Sequence, residues 1–144
     1  MAGSRNVLLV EDDVMIRDMY RLALADAHYL VEVADSANEL YAKLPNFRPD
    51  VMFLDIMLPG ASGLEILNEL RTNPKHGCMN TKIIILTNLA QRNVADNAME
   101  HGADGYVIKA DILPKDLPTV VRSLEETDEK HSKSEQNSES DSEL

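Results

Sequence analysis

Six side chains of this sequence form a chemically loaded set. Glu11, Asp12 and Asp13 follow the apolar run Val7-Leu8-Leu9-Val10, and Asp55 follows Val51-Met52-Phe53-Leu54. Thr87 closes the run Ile83-Ile84-Ile85-Leu86, and Lys109 closes Gly105-Tyr106-Val107-Ile108. Taken singly, Asp12 and Asp13 are helix caps, Thr87 is a strand-end residue and Lys109 is a solvated cation. Asp55 resists such a reading, because a carboxylate at the end of a buried run needs a partner. Carboxylates brought together raise one another's pKa unless a cation intervenes, and Lys109 brings a single charge. An all-oxygen donor set without histidine or cysteine favours Mg²⁺ or Mn²⁺. The chemistry that suits the set is an aspartate nucleophile receiving a phosphoryl group. A metal and a lysine would then neutralise its oxygens, and a hydroxyl would hold another.

That chemistry requires the four runs to end on one rim. Three of them are continuously apolar, which marks strands buried on both faces of a parallel sheet. Residues 30–34 and 105–108 are two further strand candidates. Helical patterns fill the gaps. Apolar residues between 14 and 27 recur as a stripe. Ser36-Ala37-Asn38-Glu39 reads as a capping box opening a helix to about Leu44, before Pro45. Ser62-Gly63-Leu64-Glu65 repeats that signature and opens a helix to about Thr72. A fourth helix covers 94–100, with Gly102 placed to end it in a left-handed conformation. A fifth starts at Pro114 or Lys115 and runs to about Asp128. The alternation predicts a doubly wound α/β fold with right-handed crossovers, whose ligands lie beyond the carboxyl ends of the strands.

Composition narrows the function. The 144 residues carry a net charge of −11, which disfavours non-specific nucleic acid binding. No apolar run approaches the ~20 residues of a membrane span, and no secretory signal is legible. A single cysteine, Cys78, fits a reducing cytoplasmic home. From Glu125 onward eight acids face Lys130 and Lys133, with five serines beyond His131. That composition cannot offset ordering entropy. The expected division is therefore a folded domain over residues 1–128 and a disordered acidic tail over 129–144, too polar to form an effector module.

Together these motifs resemble the receiver domain of two-component response regulators. The similarity runs from Asn6 to about Glu126. It rests on Val10-Glu11-Asp12-Asp13, on Asp55 with Pro59 and Gly63 four and eight residues on, on Thr87, and on the segment from Gly102 to Lys109. The resemblance implies a five-stranded flavodoxin-like parallel sheet in the order 2-1-3-4-5, flanked by five helices. It implies phosphorylation of Asp55 by a histidine kinase or phosphotransfer protein. Asp13, Asp55 and the Met57 backbone carbonyl would bind Mg²⁺ directly, and Asp12 directly or through water. Lys109 would contact the phosphoryl oxygens, Thr87 would move toward them, and Tyr106 would rotate inward as the second switch residue. A stand-alone regulator is expected, not an enzyme acting on other molecules. Its output would pass through a partner face between Arg92 and Asp128.

Two departures mark this chain. Ala110 follows the lysine where many members carry proline, and a cis bond there costs ~3–4 kcal/mol without proline. Asn88 follows Thr87 where a small residue is usual. A degenerate receiver acting as a phosphorylation-independent interaction module is the alternative. An Asp-x-Asp phosphatase would need an acid where Met57 stands. A flavin binder would want hydroxyls, not acids, after the first strand.

Overall fold

A computed structural model describes residues 5–125. The expected tail and the domain limit at Asp128 lie outside the described residues. The chain alternates strand and helix: β1 (Asn6–Val10), α1 (Val14–Asp26), β2 (Leu30–Ala34), α2 (Ala37–Lys43) and β3 (Val51–Asp55). A small hairpin, β4 (Met57–Leu58) with β5 (Ala61–Ser62), leads to α3 (Gly63–Thr72). Then come β6 (Lys82–Thr87), α4 (Arg92–Glu100), β7 (Gly105–Ile108) and a fifth helix, α5, over 117–125. The main sheet has the order β2-β1-β3-β6-β7, and all its pairings are parallel. That is the order expected, with the five main strands counted in sequence.

Strand alternation sorts the core into two layers. Val7 and Leu9 of β1, with Val51 and Phe53 of β3, pack with Tyr20 and Leu24 of α1 and Leu117 and Val121 of α5. Leu8, Val10, Met52 and Leu54 pack on the opposite face with Leu40, Ile66, Leu67, Leu70, Ala95 and Ala98. Both faces are covered, which is why the strand sequences are continuously apolar. Each such side chain contributes about 1.5–3 kcal/mol through burial. Truncating fully buried Phe53 to alanine is expected to cost about 3–5 kcal/mol.

Local signals fix the helix ends. The Ser36 hydroxyl accepts from Glu39 N at 3.2 Å, and Glu39 Oε1 reaches back to Asp35 N, one residue before the expected partner. Ser62 caps α3 through Leu64 N. Gly102 takes φ +105°, the positive φ expected after α4. The last helix starts later than its sequence suggests: Pro114–Asp116 forms a 3₁₀ turn ahead of 117–125. Among the described residues no peptide bond is cis, so Lys109–Ala110 is trans and continues into a 3₁₀ turn over Lys109–Asp111.

Candidate functional site

Parallel pairing brings the ends of β1, β3, β6 and β7 to one rim. Glu11 extends the ladder past β1, its N–H donating to Ala34 O at 3.0 Å. Asp55 is the last residue of β3, and the following Ile56 N donates to Leu86 O. Thr87 ends β6 opposite Ile108, and Lys109 is next in the chain. The segment after Asp55 is folded back by Pro59-Gly60, where Gly60 has φ +76°. Gly63 then lies against Ile56: a Cβ on it would stand 2.6 Å from the Ile56 Cα, so only glycine lets α3 start this close to the acceptor strand.

Asp55 is 4% exposed. Its Oδ1 accepts from Met57 N at 2.9 Å, and its Oδ2 accepts from Lys109 Nζ at 3.1 Å. The two bonds fix the carboxylate. Lys109 is shared: its Nζ also lies 2.7 Å from Glu11 Oε1 in an ion pair. Glu11 is fully buried, its Oε2 accepts from Asp13 N, and its Oε1 has no hydrogen-bond geometry beyond that ion pair. Oxygens of Glu11, Asp12 and Asp55 lie within 4.8 Å of one another.

The electrostatics follow from burial. It pushes the Glu11 carboxyl up to about 7, against the pull of Lys109. Burial alone would lower the Lys109 ammonium, but its bond to Glu11 and the Asp55 charge outweigh that and hold its pKa above the ordinary lysine value. One firmly held cation thus faces three acids. The excess of carboxylates over the one ammonium and the all-oxygen donor set fit a hard divalent ion.

The acids brought together are not those expected. Asp12 and Asp55 meet as foreseen, but the third member is Glu11. Asp13 is exposed and its carboxylate caps α1, accepting from Ile16 N at 3.1 Å. Glu11 belongs to the strand-end acids of the sequence but carries no expected role there, because all three acids follow the same strand. Parity does not single it out, because residues 11 and 13 both continue the alternation of Val7 and Leu9.

The remaining expected residues stand as follows. Met57 is exposed, and its amide rather than its side chain touches Asp55. Thr87 is buried, and its hydroxyl donates to Asn88 O at 3.0 Å. Tyr106 is half-buried on β7 and packs on the layer formed with α2, α3 and α4.

Comparison with known proteins agrees with this geometry. Residues 7–122 match the response regulator receiver domain family. The chain is 32% identical over 120 residues to the phosphate regulon transcriptional regulatory protein PhoB of Pseudomonas aeruginosa, covering 83% of this chain and 51% of that protein. It is 34% identical over 121 residues to protein CcdB of Bacillus subtilis, covering 81% of this chain and 94% of that protein. Among solved structures, the chemotaxis response regulator CheY4 of Vibrio cholerae superposes with a TM-score of 0.75 at 29% identity. That match covers 85% of this chain and 99% of CheY4. The chain spans about half the length of the transcriptional regulators it matches. Five parallel strands in this order, a buried aspartate clamped by a lysine beside further acids, and the matched span together make the chain a member of the response regulator receiver family.

Proposed function

We propose that the protein is a phospho-acceptor switch, in which Asp55 takes a phosphoryl group from a histidine kinase or a phosphotransfer protein. The observation that carries this reading is the Asp55 carboxylate, buried at a strand end, held by Met57 N and Lys109 Nζ, with Glu11 and Asp12 alongside. An Asp55 oxygen attacks the phosphorus of a donor phosphohistidine. The new P–O bond forms as the P–N bond breaks, and the imidazole leaves with the electron pair. Lys109 is already in place to offset charge on the transferred oxygens. The buried pocket keeps the nucleophile from rotating away. In a second step, water attacks the phosphorus, the bond to the Asp55 oxygen breaks, and inorganic phosphate and the free carboxylate result. The protein thus promotes its own phosphorylation and dephosphorylation.

Asp12, Asp55 and the Met57 backbone carbonyl would hold Mg²⁺ or Mn²⁺, with Glu11 behind them pairing Lys109 and supporting the site's charge. When bound, the ion supplies positive charge opposite the phosphoryl oxygens. Asp13 keeps its place as the cap of α1. Thr87, at the adjacent strand end, is the hydroxyl that turns toward the phosphoryl group. Tyr106 follows it on β7. The output face comprises α4, β7 and the last helix, the described part of the span from Arg92 to Asp128. A partner protein reads it.

The test is incubation with acetyl phosphate and Mg²⁺ followed by intact-mass measurement. A gain of one phosphoryl group is expected for the wild type and none for Asp55→Asn. Equal gains in both proteins would contradict the assignment. No gain in either, from acetyl phosphate or from a panel of phosphorylated kinases, would favour a phosphorylation-independent interaction module.

A further inference from the structure

Asn88 joins two contacts that the acceptor chemistry leaves unexplained. Its backbone oxygen accepts from the Thr87 hydroxyl at 3.0 Å and also from Gln91 N at 3.0 Å. Its side-chain Oδ1 accepts from the same Gln91 N–H at 3.1 Å. The turn Leu89–Gln91 that leads into α4 is therefore closed by one residue, whose two oxygens share the Gln91 N–H. That closure matters because α4 has little else to hold it. Its N-cap, Gln91, makes no side-chain cap bond, and only Ala95 and Ala98 are buried along its length.

A hydroxyl has one proton to donate. While the Thr87 proton lies on Asn88 O, it cannot lie on a phosphoryl oxygen of Asp55. The phosphoryl oxygens are charged acceptors and outcompete a neutral carbonyl once present. Their capture of that proton removes one of the bonds that orient the Asn88 carbonyl, at the point where the chain enters a lightly anchored helix.

We infer that Asn88 is a positioning residue that ties the Thr87 hydroxyl and the start of α4 together in the unphosphorylated protein, so that both are released in one step. This rests on the reading of Asp55 as phospho-acceptor. Its side chain biases the switch toward the resting state because Oδ1 gives the Gln91 N–H a second acceptor and so keeps the turn closed beside the carbonyl that Thr87 reaches. A bond made in one state and lost in the other shifts the balance by its full differential strength. Removing an acceptor of this capping type is expected to raise the active-like fraction of unphosphorylated protein roughly fivefold.

The experiment uses the full chain and three proteins: wild type, Asn88→Ala, and Asn88→Ser, which keeps a short uncharged acceptor. Amide NMR positions for 91–101 are recorded without a phosphodonor and with acetyl phosphate and Mg²⁺, and intact mass reports labelling of Asp55. Without donor, the Asn88→Ala peaks should move from the wild-type resting positions toward the wild-type phosphorylated ones. The Asn88→Ser peaks should stay near rest. Asn88→Ala peaks at wild-type resting positions, with Asp55 labelled normally, would overturn the inference and leave the acceptor reading intact. Labelled wild type whose α4 peaks do not move would do the same. Wild type that cannot be labelled at all would remove both.

Discussion

The two ends of the sheet are built on opposite principles. At the carboxyl ends of the strands, Glu11, Asp12 and Asp55 crowd around a single ammonium, and a fully buried Glu11 oxygen is left with only an ion pair. At the amino ends, the Arg71 guanidinium donates from all three of its nitrogens. It donates to Gly102 O at 3.0 Å, to Cys78 O at 2.9 Å, to Thr81 O at 2.8 Å and to Asp104 Oδ2 at 2.9 Å. Asp104 Oδ2 in turn accepts from Ile83 N, Asp50 Oδ2 accepts from Asn6 N, and the Thr81 hydroxyl donates to Pro49 O. One end closes its hydrogen bonds internally and fastens α3, the start of β6 and the turn before β7. The other leaves its charges under-compensated and so invites a cation and a phosphoryl group. Stability and chemistry are thus separated along the strands.

If that separation is real, the two ends should fail differently. Arg71→Ala strips several backbone carbonyls of a charged donor and should destabilise the fold by roughly 2–4 kcal/mol. Thermal unfolding would register it, while the rate of Asp55 labelling well below the melting temperature stays as in wild type. A labelling defect matching the stability loss would erase the distinction between the ends.

Glu11→Gln should have the reverse sign. The folded protein holds the Glu11 proton up to about pH 7, against an ordinary value of 4.5. The native state therefore binds more proton than the unfolded chain between those values, and its stability falls as pH rises through that window. In EDTA, the glutamine variant should match wild type near pH 4 and exceed it by several degrees in melting temperature at pH 8. A gap that stays constant from pH 4 to 8 would mean that the Glu11 charge is fully compensated by Lys109.

The smallest expected effect separates the neighbouring aspartates. In calorimetric titration, Asp12→Ala should weaken Mg²⁺ binding at least about tenfold, whereas Asp13→Ala should leave it within about twofold. The latter should instead cost about 1 kcal/mol of stability, the worth of a helix cap. Equal losses of affinity would return Asp13 to the metal site.

The sequence carried the fold well because β1, β3 and β6 are distinct short apolar runs separated by helical patterns. β2 and β7 match their expected limits, and Ser36 and Ser62 mark their helix starts through hydroxyl caps. The hairpin Met57–Ser62 was not legible, since two-residue strands leave no periodic trace. The start of the last helix was placed too early because Pro114 suits a 3₁₀ turn as well as a helix. Asp55, Thr87 and Lys109 were legible because each ends a run. The identity of the third acid was not. β1 is apolar on both faces, so its sequence offers no polar alternation from which to phase Glu11, Asp12 and Asp13, and only the three-dimensional register shows which one turns inward.

The central claim is that a phosphoryl group becomes covalently bound to Asp55. An aspartyl phosphate is an acyl phosphate, and borohydride reduces it to homoserine. Protein treated with acetyl phosphate and Mg²⁺, reduced and digested, should yield a peptide with homoserine at position 55 and unmodified aspartate at positions 12 and 13. Homoserine at either of those positions, or at none while the intact mass still shows a phosphoryl group, would contradict the account.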